Sequence, residues 1–463
     1  MDKRTVIKNR DELLATGDRA ARKPALDTIT LALKDLDIYQ VIKKNLTLRS
    51  NHLFFGENKW DLSKKRDIYV VGGGKAANAM ARAIEEILGD RITTGIVAVK
   101  NLDPHDRLKR IELVVCGHPL PDENSQRAGQ RILQLVQRAD SDDLFIGLIS
   151  GGSSALMSCP LPGITLEDEI SCTRELLASG ARILEINAVR RHISAINGGR
   201  LAQAVDQKGS AMINFIISDG VGNAPATDPC QPVDFFGTPV APDSTTFADA
   251  SNVLNKYGLR QKVPRAVVAF IDNADACLET PKSFSRRILQ FVVQRVADAG
   301  EAALRAAAAI GHKALILTTF LQGESREAGT FLGCVAREIA LNHRPIAPPC
   351  LLIANGETTT TIRGNCGMGG PSQELALGFA LEISGHSGIC LAALDTDGTD
   401  GPTEYAGAIV DSTTVERARD QGIDVYQCLQ AHDSSSVFKA VGDGIITGNT
   451  GTNVCDLNII SIL

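Results

Sequence analysis

An apolar segment, residues 68–71, runs into three glycines and a lysine, and this arrangement suits anion binding. Gly72, Gly73 and Gly74 allow the backbone to approach a phosphate closely, because glycine has no side chain. Lys75 stands where a helix begins, and a helix N-terminus offers free N–H donors and a positive dipole. We therefore predict a phosphate-binding turn that includes Gly73, Gly74 and a catalytic Lys75; the alternative is a solvated lysine.

The same turn matches the loose dinucleotide-binding pattern Gly-x-Gly-x-x-Ala over residues 72–77, which raises a nicotinamide cofactor as an alternative. Such a site needs an acidic residue about 20 residues further on, at the end of the next strand. That segment, residues 95–99, is followed by Lys100 and Asn101 instead. The turn is not a Walker A loop either, because no Ser or Thr follows Lys75. The nicotinamide interpretation is therefore the weaker one.

A second turn of small residues follows the apolar segment 144–149. It consists of Ser150, Gly151, Gly152, Ser153 and Ser154. Its N–H groups and hydroxyls can form a second phosphate cradle, whereas a turn selected for tight packing would use the same residues. Gly-x-Ser-x-Ala also lies close to the nucleophile elbow of serine hydrolases, for which Asp397 and His432 would stand in the required order. We predict that this turn binds phosphate.

Acidic residues are concentrated in a turn of the C-terminal half. Asp395, Asp397 and Asp400 are interspersed with Thr and Gly directly after an apolar segment. Such a turn can gather a divalent cation, although an ordinary polar connection would have the same composition. Further glycine-containing turns hold Glu357 and residues 448–453. The recurrence of these turns in both halves suits phosphate chemistry in a cleft.

The elements that must position these turns alternate between strand-like and helix-like segments, which predicts an α/β fold with a parallel sheet. Predicted strands lie at 67–71, 95–99, 111–115, 144–149, 212–217, 313–319, 351–354, 358–362 and 388–394. Long helices are predicted at 22–45 and 286–310, and a long functional or mobile loop at 218–246. We place one boundary near residue 275, between a larger Rossmann-like domain of residues 1–275 and a smaller α/β domain of residues 276–463.

The composition excludes several classes of protein. The chain has 463 residues, a net charge of −6, 44% hydrophobic residues and 22% charged residues, which is an ordinary globular composition. It has no basic block and no apolar run of 18 residues, so we expect neither nucleic-acid binding nor a membrane segment. Its first residues lack the apolar core of a secretory signal, and its 11 cysteines show no CxxC spacing. We therefore expect a cytoplasmic protein with reduced thiols.

Ten short motifs, in order from about Arg22 to Leu457, resemble the class II glycerate 2-kinases, the MOFRL-type family whose members are often labelled hydroxypyruvate reductases. The motifs lie at residues 70–76, 117–122, 148–156, 187–194, 198–202, 237–250, 356–359, 373–375, 396–402 and 451–454. The resemblance implies two α/β domains with the active site in a cleft between them. It also implies phosphorylation of the 2-hydroxyl of D-glycerate with ATP and Mg²⁺, and it leaves a homodimer open.

The resemblance further assigns roles to single residues. The family's catalytic lysine, its active-site acids and its C-terminal polar pair fall on Lys75, Asp219, Glu357, Asp397, Thr452 and Asn453. Asp219 and Asp397 are expected to be catalytic and are candidate metal ligands, whereas Glu357, Thr452 and Asn453 are expected to bind substrates. Whether Asp397 would hold Mg²⁺ or accept the hydroxyl proton is left open by the sequence.

Three departures from the family pattern concern the acceptor. Pro371 stands where the family usually has an arginine, and Asn197 stands where it usually has a lysine. The loop after Asp219 is several residues longer than usual and contains Pro225, Pro229 and Pro232.

An arginine can stabilise a transferring phosphoryl group strongly, so its loss calls for a substitute. We predict Arg190 in this role, with Arg191 and Arg200 as alternatives. A kinase for another small sugar acid and an NAD(P)-dependent hydroxypyruvate reductase remain the alternative functions.

Overall fold

The computed structural model describes residues 6–221, 239–362 and 364–463, which form two compact units. One unit is Ile38–Val293, and the other combines the chain up to Asp37 with Gln294–Leu463. The elongated loop with Pro225, Pro229 and Pro232 lies outside the described residues.

Helices and strands alternate along the chain. The helices are α1 (Arg10–Ala15), α2 (Arg19–Asp35), α3 (Ile38–Asn45), α4 (Ala77–Leu88), α5 (Glu123–Arg138), α6 (Ser153–Leu156), α7 (Leu166–Ala178), α8 (Ile183–His192), α9 (Arg200–Gln207), α10 (Phe247–Lys256), α11 (Arg265–Asn273), α12 (Val296–Ala309), α13 (Ser325–Asn342), α14 (Pro371–Glu382), α15 (Thr414–Asp420), α16 (Val425–Gln430) and α17 (Ser434–Val441). The strands are β1 (Leu46–Arg49), β2 (His52–Phe55), β3 (Asn58–Asp61), β4 (Ile68–Gly73), β5 (Thr94–Val99), β6 (Ile111–Val115), β7 (Leu144–Ile149), β8 (Ala211–Ser218), β9 (Ile288–Arg295), β10 (Lys313–Leu321), β11 (Cys350–Gly356), β12 (Ile389–Asp395), β13 (Gly407–Asp411), β14 (Gly444–Ile445) and β15 (Asp456–Ile462).

The unit Ile38–Val293 is built on a six-stranded sheet with the order β6-β5-β4-β7-β8-β9. The pairs β4/β5, β5/β6, β4/β7 and β7/β8 are parallel. This is the doubly wound order in which the chain first builds outwards from the central strand and then crosses to its other side. The crossing places a topological switch point between β4 and β7. Every residue of these two strands is buried, as expected of strands covered on both faces.

The unit that contains the C-terminus has a mixed six-stranded sheet with the order β10-β11-β15-β12-β13-β14. Strands β10 and β11 are parallel, whereas β15 runs antiparallel to both of its neighbours, β11 and β12. The last strand of the chain therefore lies in the interior of this sheet. Within the described residues, no helix is both long and apolar enough to cross a membrane.

The α/β fold class and most predicted strands are confirmed, but three predicted elements are wrong. The helix predicted at 22–45 is two helices, α2 and α3, and the chain passes from one unit to the other between them. The first part of the helix predicted at 286–310 is strand β9, whose β-branched and aromatic residues fit a pleated sheet. The strand predicted at 358–362 forms only an isolated bridge at Thr359.

The division into units also differs from the single boundary placed near residue 275. It falls at Asp37/Ile38 and at Val293/Gln294. Helix α2 of the N-terminal segment packs on α12, β12 and β15 of the C-terminal unit, and its fully buried Arg22 donates hydrogen bonds to two carboxylates of that unit, Asp411 and Asp443. A buried cation without such partners would be strongly unfavourable.

Candidate functional site

The first glycine turn lies at the carboxyl end of β4, directly beside the end of β7. Gly73 is the register partner of Ile149, the last residue of β7. Gly72 and Gly74 have φ values of 151° and 147°. A Cβ on Gly72 would stand 2.0 Å from the carbonyl oxygen of Leu148, and one on Gly74 would stand 2.1 Å from Oγ of Ser150. Both positions therefore require glycine.

The two predicted phosphate-binding turns are joined by hydrogen bonds. The backbone N–H of Lys75 donates to the carbonyl oxygen of Gly151 at 2.9 Å, and that of Ala76 donates to Oγ of Ser150 at 3.0 Å. The N–H of Ser150 donates to the carbonyl oxygen of Gly73 at 3.2 Å. The structure therefore builds one platform from the two turns at the switch point of the sheet, where doubly wound proteins bind their ligands.

The side chain of Lys75 crosses this platform beside a histidine. A Cβ on Gly152 would lie 3.3 Å from Cγ of Lys75 and 2.9 Å from Cδ2 of His118, so both side chains pass close to Gly152. Lys75 and His118 are half-buried. The residues that follow Gly152 begin the short helix α6, in which Ser153 is buried and Ser154 is half-buried.

The sequence does not single out His118, although it belongs to the motif at 117–122 and lies beside the two glycine turns. A single histidine without metal-ligand spacing gives no signal of its own. Its neighbours Lys75 and Gly152 lie more than 30 residues away in the chain, and only the fold brings the three together.

Asp219 follows β8, the strand next to β7, and therefore lies at the same edge of the sheet as the glycine turns. It is half-buried. Asn197, which replaces a family lysine, is buried and donates to the carbonyl oxygens of Ser154 and Met157 at 3.3 and 3.4 Å. Its amide therefore holds the end of α6 in place.

The guanidinium of Arg190 lies against α7, where the charge of Glu169 acts on it. Burial lowers the pKa of Arg190, and burial also raises the pKa of Glu169, which accepts a hydrogen bond from Ser158. In the part of the chain that the structure describes, no hydrogen bond joins Arg190 to the glycine turns. The role predicted for Arg190 stays a prediction.

The two alternative arginines are also engaged with protein groups. Arg191 forms a buried ion pair with Asp243 at 2.7 Å. Arg200 donates to the carbonyl oxygen of Leu278, and burial lowers its pKa.

The acidic residues of the other unit gather at one edge of its mixed sheet. Asp395 ends β12, Asp456 begins β15, and the two are register partners; Gly356, at the end of β11, pairs with Asp456 on its other side. Glu357 follows Gly356 and is exposed. Burial, together with the nearby charges of Asp395 and Glu357, raises the pKa of Asp456 well above its usual range.

Asp397 and the C-terminal turn 448–453 lie together in this unit. The N–H of Asp397 donates to the side chain of Asp395 at 2.9 Å, and Thr450 donates its N–H to the carbonyl oxygen of Asp397 at 3.3 Å. Thr452 donates its hydroxyl to Gln294 at 2.7 Å. Asp397, Thr452 and Asn453 are all buried. The structure therefore brings three of the predicted site residues close together, while Lys75 and Asp219 belong to the first unit.

Pro371 is the first residue of α14, and the N-terminus of this helix is already capped. The carboxylate of Asp400 accepts hydrogen bonds from the N–H groups of Ser372 and Gln373 at 3.1 and 2.9 Å. Burial raises the pKa of Asp400 to about 7. Proline suits this position because it has no N–H to satisfy and its φ matches a helix.

Among the described residues, no group of three or more His, Cys, Asp or Glu side chains is arranged to hold a metal ion. The carboxylates of Asp395 and Asp397 nevertheless offer oxygen atoms, the ligands that Mg²⁺ prefers. Mg²⁺ is usually held by one or two carboxylates together with water and substrate phosphates, so it does not need a protein cage.

The strand order, the switch point and the paired glycine turns define an α/β protein with one doubly wound unit, which carries a platform of two glycine turns, and a second α/β unit. The family models agree with this class: one described as a domain of unknown function, DUF4147, matches residues 25–272, and the MOFRL family model matches residues 350–456. The chain belongs to the class II glycerate kinase family.

Relatives of known name support this assignment. The chain is 41% identical to a glycerate 2-kinase of Pyrococcus horikoshii, over 94% of this chain and 95% of the relative. It is 39% identical to a D-glycerate 2-kinase of Thermotoga maritima, over 85% and 90% of the two chains. A crystal structure of a Thermotoga maritima glycerate kinase is similar with a TM-score of 0.77 and 36% identity, and covers 96% of this chain and 99% of that one.

Proposed function

We propose that this protein is a glycerate 2-kinase that transfers the γ-phosphoryl group of ATP to the 2-hydroxyl of D-glycerate. The observation that carries the proposal is the pair of joined glycine turns with Lys75 at the switch point of the parallel sheet. The relatives named glycerate 2-kinase extend over nearly the whole chain and support the same acceptor.

Lys75 has the central role in this proposal. Phosphoryl transfer spreads negative charge over the equatorial oxygens, and catalysis consists mainly of positioning and electrostatic stabilisation. A lysine beside two turns of glycine and serine residues can approach those oxygens closely, because the neighbouring side chains are small. Gly73, Gly74, Gly151 and Gly152 would leave room for the phosphates, and the hydroxyls of Ser150, Ser153 and Ser154 would donate to them.

The carboxylates have the complementary role. We propose that Asp219 and Asp397 hold Mg²⁺ or receive the proton of the acceptor hydroxyl. When bound, Mg²⁺ neutralises phosphate charge and orients the leaving group. Asp397 is suited to a fixed role because its backbone and its carboxylate are both held by the turn 395–399.

Glu357, Thr452 and Asn453 are proposed as substrate-binding residues because the family resemblance assigns them. Arg190 is proposed in the same role as a substitute for the missing family arginine. Pro371 and Asn197 supply no cation, and the structure gives each of them a structural contact instead. Cytoplasmic location and homodimer formation also stay predictions.

The direct test is a reaction with D-glycerate, ATP and Mg²⁺ in which ADP release is measured and the product is identified by ³¹P NMR. We expect 2-phospho-D-glycerate and no oxidation of NADH when hydroxypyruvate is offered in parallel. NADH oxidation without ADP release would overturn the proposal in favour of a reductase. Turnover with longer aldonates but not with D-glycerate would overturn the proposed acceptor.

A further inference from the structure

A groove of about 620 Å³ lies at the end of the parallel sheet opposite the glycine turns. Its floor is formed by the first residues of β5 and β6, and its wall by the last two turns of α5. Thr94 lines the groove, whereas Ala98, further along β5, is the register partner of Gly73. Four residues of strand, about 13 Å, therefore separate the groove from the level of the glycine turn.

The groove is strongly cationic in a chain whose net charge is −6. Lys109, Arg110, Arg131 and Arg138 line it, and Glu112 is the acidic residue among its lining residues. Its side chains also include Gln134, whose amide can donate hydrogen bonds. The volume falls in the range that small-molecule sites occupy in proteins.

Two of these cations are already paired, and two are not. Arg131 forms two hydrogen bonds with Glu112, at 2.7 and 2.6 Å, and Arg110 pairs with Asp90 at 2.9 Å. Over the described parts of the chain, Lys109 and Arg138 make no ion pair with any carboxylate. An anion in the groove would therefore meet two cations whose side chains pair with no carboxylate, one on the β6 side and one on the α5 side, although the backbone of Lys109 donates to Glu85.

We propose that this groove binds a small anion with two or more phosphate groups, at a site separate from the proposed kinase site. Two phosphates can contact Lys109 and Arg138 at once, and Arg131 can contact a phosphate because its fork has donors beyond those used by Glu112. Lys109 lies on the β6 side of the groove and Arg138 on the α5 side, so a ligand with two phosphate groups offers one to each side.

The test uses isothermal titration calorimetry with inorganic pyrophosphate as the probe. We expect saturable binding to the wild-type protein, and weakening by about tenfold or more in each of the variants Lys109→Glu and Arg138→Glu. Arg127→Glu is the matched control, because Arg127 is exposed on the same helix but does not line the groove. Lys109→Gln and Arg138→Gln should also weaken pyrophosphate binding, by a smaller factor. These neutral variants keep the test valid where a charge-reversal variant fails to fold.

Pyrophosphate can also bind at the glycine turns, so Lys75→Ala is titrated in parallel. We expect this variant to keep the groove affinity, and the groove variants to keep their basal turnover. Binding that is lost in Lys75→Ala and unchanged in Arg138→Glu would overturn the proposal, as would the absence of saturable binding. Because the readout is binding rather than turnover, a failure of the proposed kinase activity would leave the groove test intact.

Discussion

At the residue scale, Lys75 is the side chain whose removal tests the proposed chemistry most directly. We expect Lys75→Ala to lower kcat by about 100-fold or more, because it removes a preorganised cation from the transferring phosphoryl group. Lys75→Arg should not restore turnover, since a planar guanidinium does not replace a compact ammonium beside Gly152. Steady-state kinetics with saturating ATP and D-glycerate provide the measurement.

Lys44→Ala is the matched control for Lys75, because Lys44 is exposed on α3 of the same unit. It should keep the wild-type turnover, and all three variants should melt within a few degrees of the parent protein. A Lys75→Ala protein that turns over within threefold of wild type would contradict the catalytic assignment.

The sequence offers site predictions mainly where the signal is local. Lys75 was predicted from the glycines beside it, and the hydrogen bonds between the two turns agree with that local pattern. Arg190 was proposed from its residue type alone, and the structure places it next to Glu169 of α7. Side-chain direction at the end of a helix depends on packing, which residue type and spacing do not encode.

At the element scale, the glycine turn after β4 must keep its shape for the platform to exist. We expect Gly74→Ala to lower kcat/KM for ATP by at least about tenfold, because its Cβ would overlap Oγ and the carbonyl oxygen of Ser150, at 2.1 and 2.6 Å. The second turn would have to move away from Lys75. The measurement is kcat/KM at fixed D-glycerate.

Gly163→Ala separates this overlap from simple backbone strain. Gly163 also has a positive φ, 95°, but an added Cβ would meet no atom within 4 Å. It should lose stability by about 1–2 kcal/mol, the usual penalty for a side chain in a left-handed conformation, and keep its kcat/KM. Equal loss of kcat/KM in Gly74→Ala and Gly163→Ala would show that backbone strain, and not the overlap with Ser150, causes the loss.

The sequence predicts strands better than it predicts their pairing. The parallel strands β4, β5 and β7 are continuous apolar segments between helices, a pattern that is local and strong. Strand β15 was not predicted, although it is buried throughout. Its place between β11 and β12 depends on contacts with residues that precede it by about 60 to 110 positions, and periodicity carries no such information.

At the scale of the whole molecule, the composition of the two units follows from long-range contacts that a single linear boundary does not capture. Residues up to Asp37 belong with the C-terminal unit, although more than 250 residues separate them from Gln294 in the chain. The sequence shows Arg22 as an ordinary helical arginine. Its burial against Asp411 and Asp443 becomes visible only in the fold.

This buried ion cluster makes a prediction about stability and pH. Arg22→Ala leaves the buried carboxylate of Asp411 without its cation and leaves Asp443 paired with Arg417 alone, so we expect the C-terminal unit to lose about 3–5 kcal/mol at pH 7. Burial alone would raise the pKa of Asp411, but the Arg22 charge and several hydrogen bonds hold it below its ordinary value of 3.8. A carboxyl with a lowered pKa stabilises the folded state above that ordinary value, and the contribution is lost as the pH falls below it. The difference in unfolding free energy between wild type and Arg22→Ala should therefore narrow as the pH falls below 3.8. Urea titrations read by pulsed hydrogen exchange on peptides of α2 and β13 provide the measurement, because a chain of two units need not unfold in one step.

Arg19→Ala, at an exposed position of the same helix, is the control and should change stability by less than about 0.5 kcal/mol at every pH. A gap for Arg22→Ala that stays constant down to pH 3 would show that lost packing, and not the ion cluster, holds the N-terminal segment to its unit.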